Sequence, residues 1–169
     1  MAESFNAAEY LVSRHVASGS GDRAAVIAQE TLTSADPLVE VGVVAAGLRA
    51  LGLRRDDRVM LVMSDEIPML TGILGAFRAG LVAVPVSTMF TGAELGKIMA
   101  DSGARAVLAT PEFAGTVSEA IAVAPDVEHA VLAGVRHLDA AVKEIGDVRV
   151  LLGFGNAKLL EAERRDVGA

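Results

Sequence analysis

The sequence predicts an α/β fold with a mainly parallel, doubly wound sheet flanked by helices. Short apolar segments recur between longer segments whose apolar residues have helical spacing. The apolar segments do not alternate with polar residues, which is typical of parallel strands covered by helices on both faces. Because the turns between the segments are short, each pass from strand through helix to strand is expected to be a right-handed crossover.

The N-terminal part predicts one helix, one strand and a second helix. Asn6 and Glu9 are spaced as a capping box and open a predicted helix over 6–17. A short strand is expected at 24–28. The helix that follows has apolar residues at helical spacing and a stop signal at Gly52.

The central part predicts two buried strands with a buried helix between them. The first strand is expected at 59–63, and Asp65 is expected to cap a helix over 66–79. This helix is apolar nearly all round and should therefore be buried nearly all round. Gly80 ends it and leads directly into the second strand, 81–86.

A second capping box opens the next helix. Thr91 and Glu94 have the required spacing, and the helix over 92–101 should end at Gly103. Its apolar residues fall on one side and its charged residues on the other. A strand at 105–109 follows, which continues the alternation of strand and helix.

The last clear repeat is a helix that starts at Thr110-Pro111, followed by a strand at 129–133. Beyond Gly134 the pattern weakens. We therefore predict an α/β subdomain over 1–133 and an atypical tail over 134–169. The weaker expectations in the tail are a helix, a strand and a polar helix, at 136–145, 148–152 and 156–166.

Composition limits the classes of function. The chain has 169 residues, a formal net charge of −7 and no cysteine. The charge argues against nucleic acid as a partner, because phosphate binding needs clustered Lys and Arg. The lack of cysteine excludes disulfides and thiol chemistry. No secretory signal opens the sequence, and we expect a cytoplasmic protein.

The stretch 67–90 is apolar enough to be compared with a membrane span. Arg78 would then lie in mid-span at a cost of about 2.5–3.5 kcal/mol on insertion scales, and Gly80 and Pro85 would interrupt the helix. We therefore predict a buried helix followed by a buried strand, and no membrane span.

No motif in the chain predicts catalysis. The three histidines, His15, His129 and His137, lack the spacing of metal ligands, and we assign no metal site. The glycine-rich segments 18–22 and 153–158 do not fit a phosphate-binding loop. The second of them, GFGNAK, is the better candidate for contact with phosphate. No serine lies in a nucleophile elbow, so we assign no catalytic residue.

The order of the segments resembles the N-terminal part of the adenylate-forming enzymes, the acyl-CoA synthetases and their relatives. The segments are, in order, FNAAEYLVSRHV, AAVI, LTSADPL, GLRALGLRRDDRVMLVM, GAFRAGLVAVPVSTMFTGAEL and DSGARAVLATPEF. FRAGLVAVPV is similar to the helix-to-strand segment RAGAVPVPV of that family. The resemblance covers residues 5 to about 133 and is nearest to the benzoate and aryl carboxylate–CoA ligases.

The resemblance implies ligation of a fatty or aromatic acid to coenzyme A, with ATP converted to AMP and pyrophosphate. ATP, Mg and CoA are the cofactors implied for a complete enzyme. The phosphate loop of the family, SGTTGxPK, should follow the strand at 129–133, and nothing in 134–169 matches it. The resemblance therefore implies a truncated ligase that is inactive and without cofactors on its own.

The resemblance also suggests the only candidate binding residues. Ser87, Thr88 and Met89 lie where some family members present a basic residue to the phosphates of CoA. This chain has no basic residue there. A second departure is LTSADPL at 32–38, where the family usually has an aromatic residue after LT.

Three alternatives to an inactive ligase fragment remain at this point. The chain could be one part of a split ligase, an α/β interaction module without catalytic function, or a small-molecule binder at the carboxyl ends of its strands. For a fragment we expect self-association, or binding to the missing ligase portion.

Overall fold

The computed structural model describes residues 5–27, 31–33, 35–133 and 149–152. The helices predicted at 136–145 and 156–166 lie outside the described residues, as does GFGNAK.

The described chain alternates helices and strands. A π-helical turn, Glu9–Ser13, runs into the first α-helix. The α-helices are α1 Arg14–Ala17, α2 Ala35–Ala50, α3 Ile67–Ala79, α4 Gly92–Ser102 and α5 Ala114–Ile121, the last preceded by a 3-10 turn, Pro111–Phe113. The strands are β1 Ala24–Ile27, β2 Thr31–Thr33, β3 Arg58–Val62, β4 Val82–Pro85, β5 Ala104–Ala109, β6 His129–Leu132 and β7 Arg149–Leu152.

The strands form two sheets. β1 and β2 pair antiparallel. The other described strands form one sheet in the order β4-β3-β5-β6-β7, in which every neighbouring pair is parallel. This confirms the predicted mainly parallel α/β sheet, whose strands lie within one or two residues of the predicted bounds. β2 was not predicted. The proposed boundary between 133 and 134 stays a prediction, although β7 extends the sheet beyond it.

The sheet separates two apolar layers, as doubly wound topology requires. Successive residues of β3 point to opposite faces. Met60 and Val62 pack with residues of α4 and α5, whereas Val59 and Leu61 pack with residues of α2 and α3. All four are essentially inaccessible to solvent. The continuous apolar sequence of β3 is thereby explained.

The helix α3 is the middle layer of a stack. One side of it faces the sheet, and the N-terminal helical segment, residues 7–17, covers the other side. Ala8 and Val12 of that segment pack against Leu74 of α3 and Val41 of α2. No residue of α3 is exposed, but only five are buried and the rest are half-buried, so the prediction of burial nearly all round is confirmed in part.

Polar groups tie these layers together at the carboxyl end of α3. The Asn6 side chain donates a hydrogen bond to the carbonyl oxygen of Phe77 (3.0 Å) and accepts from the backbone amides of Ala8 and Glu9. Arg49 of α2 donates to the carbonyl of Arg78. These contacts add hydrogen bonds to the last carbonyls of α3, of which that of Phe77 also accepts from the Gly80 amide.

The helix ends at Gly80, Gly103 and Thr91 follow the predicted signals. Gly80 and Gly103 adopt left-handed conformations, with φ of 82° and 62°, and end α3 and α4. The capping box of Thr91 with Glu94 is present. The predicted cap at Asp65 is wrong: Glu66 is the N-cap of α3, and no side chain caps its amides. Pro68 in the first turn lacks an N–H, which leaves one amide fewer to satisfy.

Candidate functional site

Open α/β sheets bind ligands beyond the carboxyl ends of their strands, at the point where the strand order reverses. In this chain β4 lies on one side of β3 and β5 lies on the other, so the reversal falls between β3 and β5. The described residues that reach this edge are 63–66, 86–91, 110–113 and 133.

Where the strand order reverses, three polar side chains form a hydrogen-bonded cluster. Thr110 donates its hydroxyl to Glu112 Oε1 at 2.6 Å, and Ser64 donates its hydroxyl to the same oxygen at 3.2 Å. Ser64 follows β3, and the other two residues follow β5. The Glu112 carboxylate therefore links the segments after β3 and β5, at the position where α/β sheets open a ligand-binding crevice.

The electrostatics of Glu112 follow from these contacts. Partial burial acts to raise the pKa of its carboxyl group, but hydrogen bonds from Thr110, its own backbone amide and Ser64 outweigh that effect and lower the pKa. Glu112 is thus held as a carboxylate at neutral pH. It can accept hydrogen bonds there but carries no proton to donate.

The predicted binding residues lie in the loop that follows β4, which is the terminal strand of the parallel sheet. Ser87 is exposed, and its hydroxyl accepts a hydrogen bond from the backbone amide of Met89 at 3.2 Å. Thr88 is half-buried, and Met89 is 91% exposed. Thr91 binds Glu94 in the capping box, which lowers the pKa of the Glu94 carboxyl group. None of the described hydrogen bonds joins the three predicted residues to the cluster around Glu112.

Chemically, the described loops at this edge offer hydroxyl groups, carboxylates and an apolar tip at Met89. None of their described residues is Lys, Arg or His. A phosphate-binding loop uses convergent backbone amides and a cation. The described part of the edge therefore suits a hydrogen-bond donor or an apolar surface better than a phosphate group.

At the amino ends of the strands, Arg105 and Glu128 form an ion pair. The hydrogen bond between them raises the pKa of Arg105 and lowers the pKa of Glu128. Glu128 also lies 4.0 Å from His129 Nε2. Since these residues begin β5 and β6, they lie at the end of the sheet away from the candidate site.

The structure also describes the first glycine-rich segment and two of the three histidines. The 18–22 segment forms turns after α1, with Gly19 at a φ of 80°. His15 is half-buried in α1 and His129 is buried, whereas His137 lies outside the described residues. Within the described ranges, no three His, Asp or Glu side chains are grouped to hold a metal ion. No helix in the same ranges is long and apolar enough to cross a membrane.

The family follows from comparison with known proteins. A model of the AMP-binding enzyme family matches residues 13–161. The chain belongs to the AMP-binding enzyme family. It is 31% identical over 134 residues to the benzoate–CoA ligase of Thauera aromatica, covering 78% of this chain and 25% of that protein.

Two further AMP-binding relatives agree with this. The 4-hydroxybenzoate–CoA/benzoate–CoA ligase of Rhodopseudomonas palustris is 33% identical over 131 residues, which cover 77% of this chain and 24% of that enzyme. A solved benzoate CoA ligase from Burkholderia xenovorans LB400 superposes with a TM-score of 0.70 at 26% identity, covering 86% of this chain and 29% of that one. The chain thus spans about a quarter of the length of the curated relatives it matches.

Sequence reasoning missed the cluster of Ser64, Thr110 and Glu112. A usable signal was present, since Ser64 and Thr110 come shortly after the ends of neighbouring parallel strands. The carboxyl ends of such strands meet at one edge. The order of the strands, which was needed to see that β3 and β5 are neighbours, was not predicted.

Proposed function

We propose that residues 1–133 are the first α/β subdomain of an ATP-dependent acyl- or aryl-CoA ligase, and that 134–169 form an atypical tail. In this proposal the complete enzyme converts a carboxylic acid, ATP and CoA to acyl-CoA, AMP and pyrophosphate, with Mg. The protein is cytoplasmic. This chain contributes scaffold and not chemistry, and is inactive alone.

One observation carries the proposal. The described loops beyond the carboxyl ends of the strands contain no Lys, Arg or His. The benzoate–CoA ligases similar to this chain are about four times as long as the segment matched. Transfer of an acyl group through an adenylate requires groups that bind phosphate and stabilise developing charge. The described edge offers hydroxyl groups that can donate to phosphate, but no cation that would neutralise phosphate or developing negative charge.

Binding of ATP tests the proposal. Titration calorimetry with ATP and Mg should give no heat of binding for this chain, while the intact Thauera aromatica ligase serves as the positive control. Saturable binding by this chain would contradict the proposal. The variant Lys158→Ala would then decide whether GFGNAK holds the phosphates, since Lys158 is the cation of that segment.

In this proposal, further ligase polypeptide covers apolar side chains that this chain leaves exposed. Phe5 is 74% exposed and Met89 is 91% exposed. Exposed apolar patches of a few hundred Å² on a soluble chain mark interaction sites or cause aggregation. We expect strong binding of the dye ANS. A strictly monomeric chain with negligible dye binding and one cooperative unfolding transition would instead favour an independent interaction module.

A further inference from the structure

The methionines of this chain differ widely in their exposure to solvent. Of the six methionines in the sequence, Met89 is 91% exposed. Met69 of α3 is half-buried against the apolar layer beside the sheet, and Met1 lies outside the described residues. The other three are at most 2% exposed: Met60, Met63 and Met99. Met89 is therefore the described methionine that a reagent reaches in the folded chain.

The surroundings of Met89 leave its thioether unhindered. The residue lies in the loop after β4, where its backbone amide, and not its side chain, donates a hydrogen bond to Ser87 Oγ at 3.2 Å. Its side chain belongs to none of the described apolar clusters. No charged residue occurs between Arg78 and Glu94. A chemical change at the Met89 sulfur therefore leaves the packing of the core unaltered.

The buried methionines are in the opposite situation. Met60 and Met99 pack in the layer with α4 and α5, and Met63 packs in the layer on the other face of the sheet. A reagent reaches such sulfurs when the fold opens, and core elements open least often. An oxygen atom added there would be a polar group in an apolar layer, at a cost to stability.

Peroxides oxidise methionine by transfer of one oxygen atom. The sulfur lone pair attacks a peroxide oxygen, an S–O bond forms and the O–O bond breaks. The proton of the transferred hydroxyl passes to the departing hydroxide, which leaves as water. The thioether is thereby oxidised by two electrons to a sulfoxide, and the peroxide is reduced. Methionine sulfoxide reductases reverse the change, while two thiols become a disulfide and the oxygen leaves as water.

We propose that Met89 is a site of reversible oxidation by hydrogen peroxide, at which this chain takes up one oxygen atom while its fold stays intact. The modification turns an apolar, flexible side chain into a polar one. Because Met89 lies in a loop beyond the carboxyl ends of the strands, it changes the polarity of the edge that holds the candidate site. The buried methionines are spared.

Peptide mapping by mass spectrometry tests the position of the oxidation. The chain is treated with hydrogen peroxide at neutral pH, and samples are quenched with catalase over time. Met89 should gain oxygen faster than the three buried methionines by about ten-fold or more. In concentrated urea all four should react at similar rates, because the fold no longer protects the core. Equal rates in the folded chain overturn the proposal.

Two leucine variants check the assignment, since leucine has a similar volume and no sulfur. Met89→Leu should remove the rapid uptake of oxygen from the described part of the chain. Met69→Leu is the matched control and should leave the rapid uptake at Met89 unchanged. Rapid uptake at another described methionine in Met89→Leu would contradict the assignment.

Unfolding and enzymatic reduction test whether the modification is reversible and compatible with the fold. The chain oxidised at Met89 should unfold at the same urea concentration as the untreated chain. The two reductases, one for each sulfoxide epimer, should together remove the oxygen in the presence of dithiothreitol. A lower urea midpoint, or an oxygen that the reductases do not remove, overturns the proposal. None of these outcomes bears on ATP binding, which tests the proposed function separately.

Discussion

The interior of this protein and the carboxyl edge of its sheet differ in how closely their side chains are fitted. In the interior, glycines let pairs of helices pack so closely that a Cβ atom added at the glycine would overlap its neighbours. Gly75 of α3 meets Val44 of α2, and Gly96 of α4 meets Ala120 and Val123 beside α5. At the edge, Glu112 merely accepts hydrogen bonds from two nearby hydroxyl groups.

This difference separates scaffold from chemistry. Close-packed interiors respond to the addition of one methyl group, because neighbouring atoms cannot move independently. At a catalytic site, a similarly small substitution would change the activity strongly. We expect the interior of this chain to be sensitive and its described edge to be tolerant, and the substitutions below test that contrast.

The largest effect is expected for Gly75→Ala. An added Cβ would lie 2.5 Å from Val44 Cβ and closer still to its Cγ1. Overpacking of this kind costs up to about 3 kcal/mol, and the higher helix propensity of alanine returns about 1 kcal/mol. The free energy of unfolding, measured with urea, should therefore fall by about 2 kcal/mol.

Gly47→Ala is the matched control, because a Cβ at Gly47 of α2 would meet nothing within 4 Å. This substitution should raise the free energy of unfolding by about 0.5–1 kcal/mol through helix propensity alone. Equal effects of the two substitutions would refute the close contact between α2 and α3.

Gly96→Ala should have a smaller effect. Its added Cβ would overlap Val123 Cγ2 and lie 2.9 Å from the carbonyl oxygen of Ala120. Val123 is 57% exposed and can rotate away, whereas the backbone carbonyl cannot. We expect a net loss of about 1–1.5 kcal/mol in the same urea titration. A gain in stability would show that the α4 and α5 pair tolerates what the α2 and α3 pair does not.

Thr91→Ala removes the cap of α4 and leaves the packing of the core intact. The Thr91 side chain accepts from the Glu94 amide, and the Glu94 carboxylate accepts from the Thr91 amide. Loss of the threonine should cost about 0.5–1 kcal/mol, and Thr91→Ser should restore most of it. If Thr91→Ala lowers the free energy of unfolding and Thr91→Ser does not restore it, capping is not the cause.

The sequence predicted the elements whose causes are local. Gly80 and Gly103 end helices because they adopt left-handed conformations, and Thr91 with Glu94 starts one. The continuous apolar run of β3 predicted burial on both faces. Each of these signals depends on neighbours within a few residues.

What the sequence did not predict depends on distant contacts. Asp65 has the residue type of a cap, yet Glu66, with an extended backbone, holds that position. The cluster around Glu112 required the order of the strands. Ser87, Thr88 and Met89 were assigned by resemblance, and their role stays a prediction.

The smallest effect is expected for Glu112→Gln at the edge. The lowered pKa of Glu112 means that its carboxylate stabilises the fold above the ordinary pKa of 4.5. That contribution disappears as the pH falls through the lowered value. Thermal unfolding should thus show a slight loss of stability in the variant at pH 7, and this difference should shrink as the pH falls below 4.5. A difference that grows on acidification would reverse the sign assigned to Glu112.

Exchange of labelled pyrophosphate into ATP, dependent on benzoate, tests the central claim that this chain is scaffold most directly. The unmodified chain should give only the background rate, and Glu112→Gln should give the same rate. The intact Rhodopseudomonas palustris ligase is the control that should exchange. Benzoate-dependent exchange by this chain above background would contradict the claim, and loss of that exchange in Glu112→Gln would place catalysis at the carboxyl edge of the sheet.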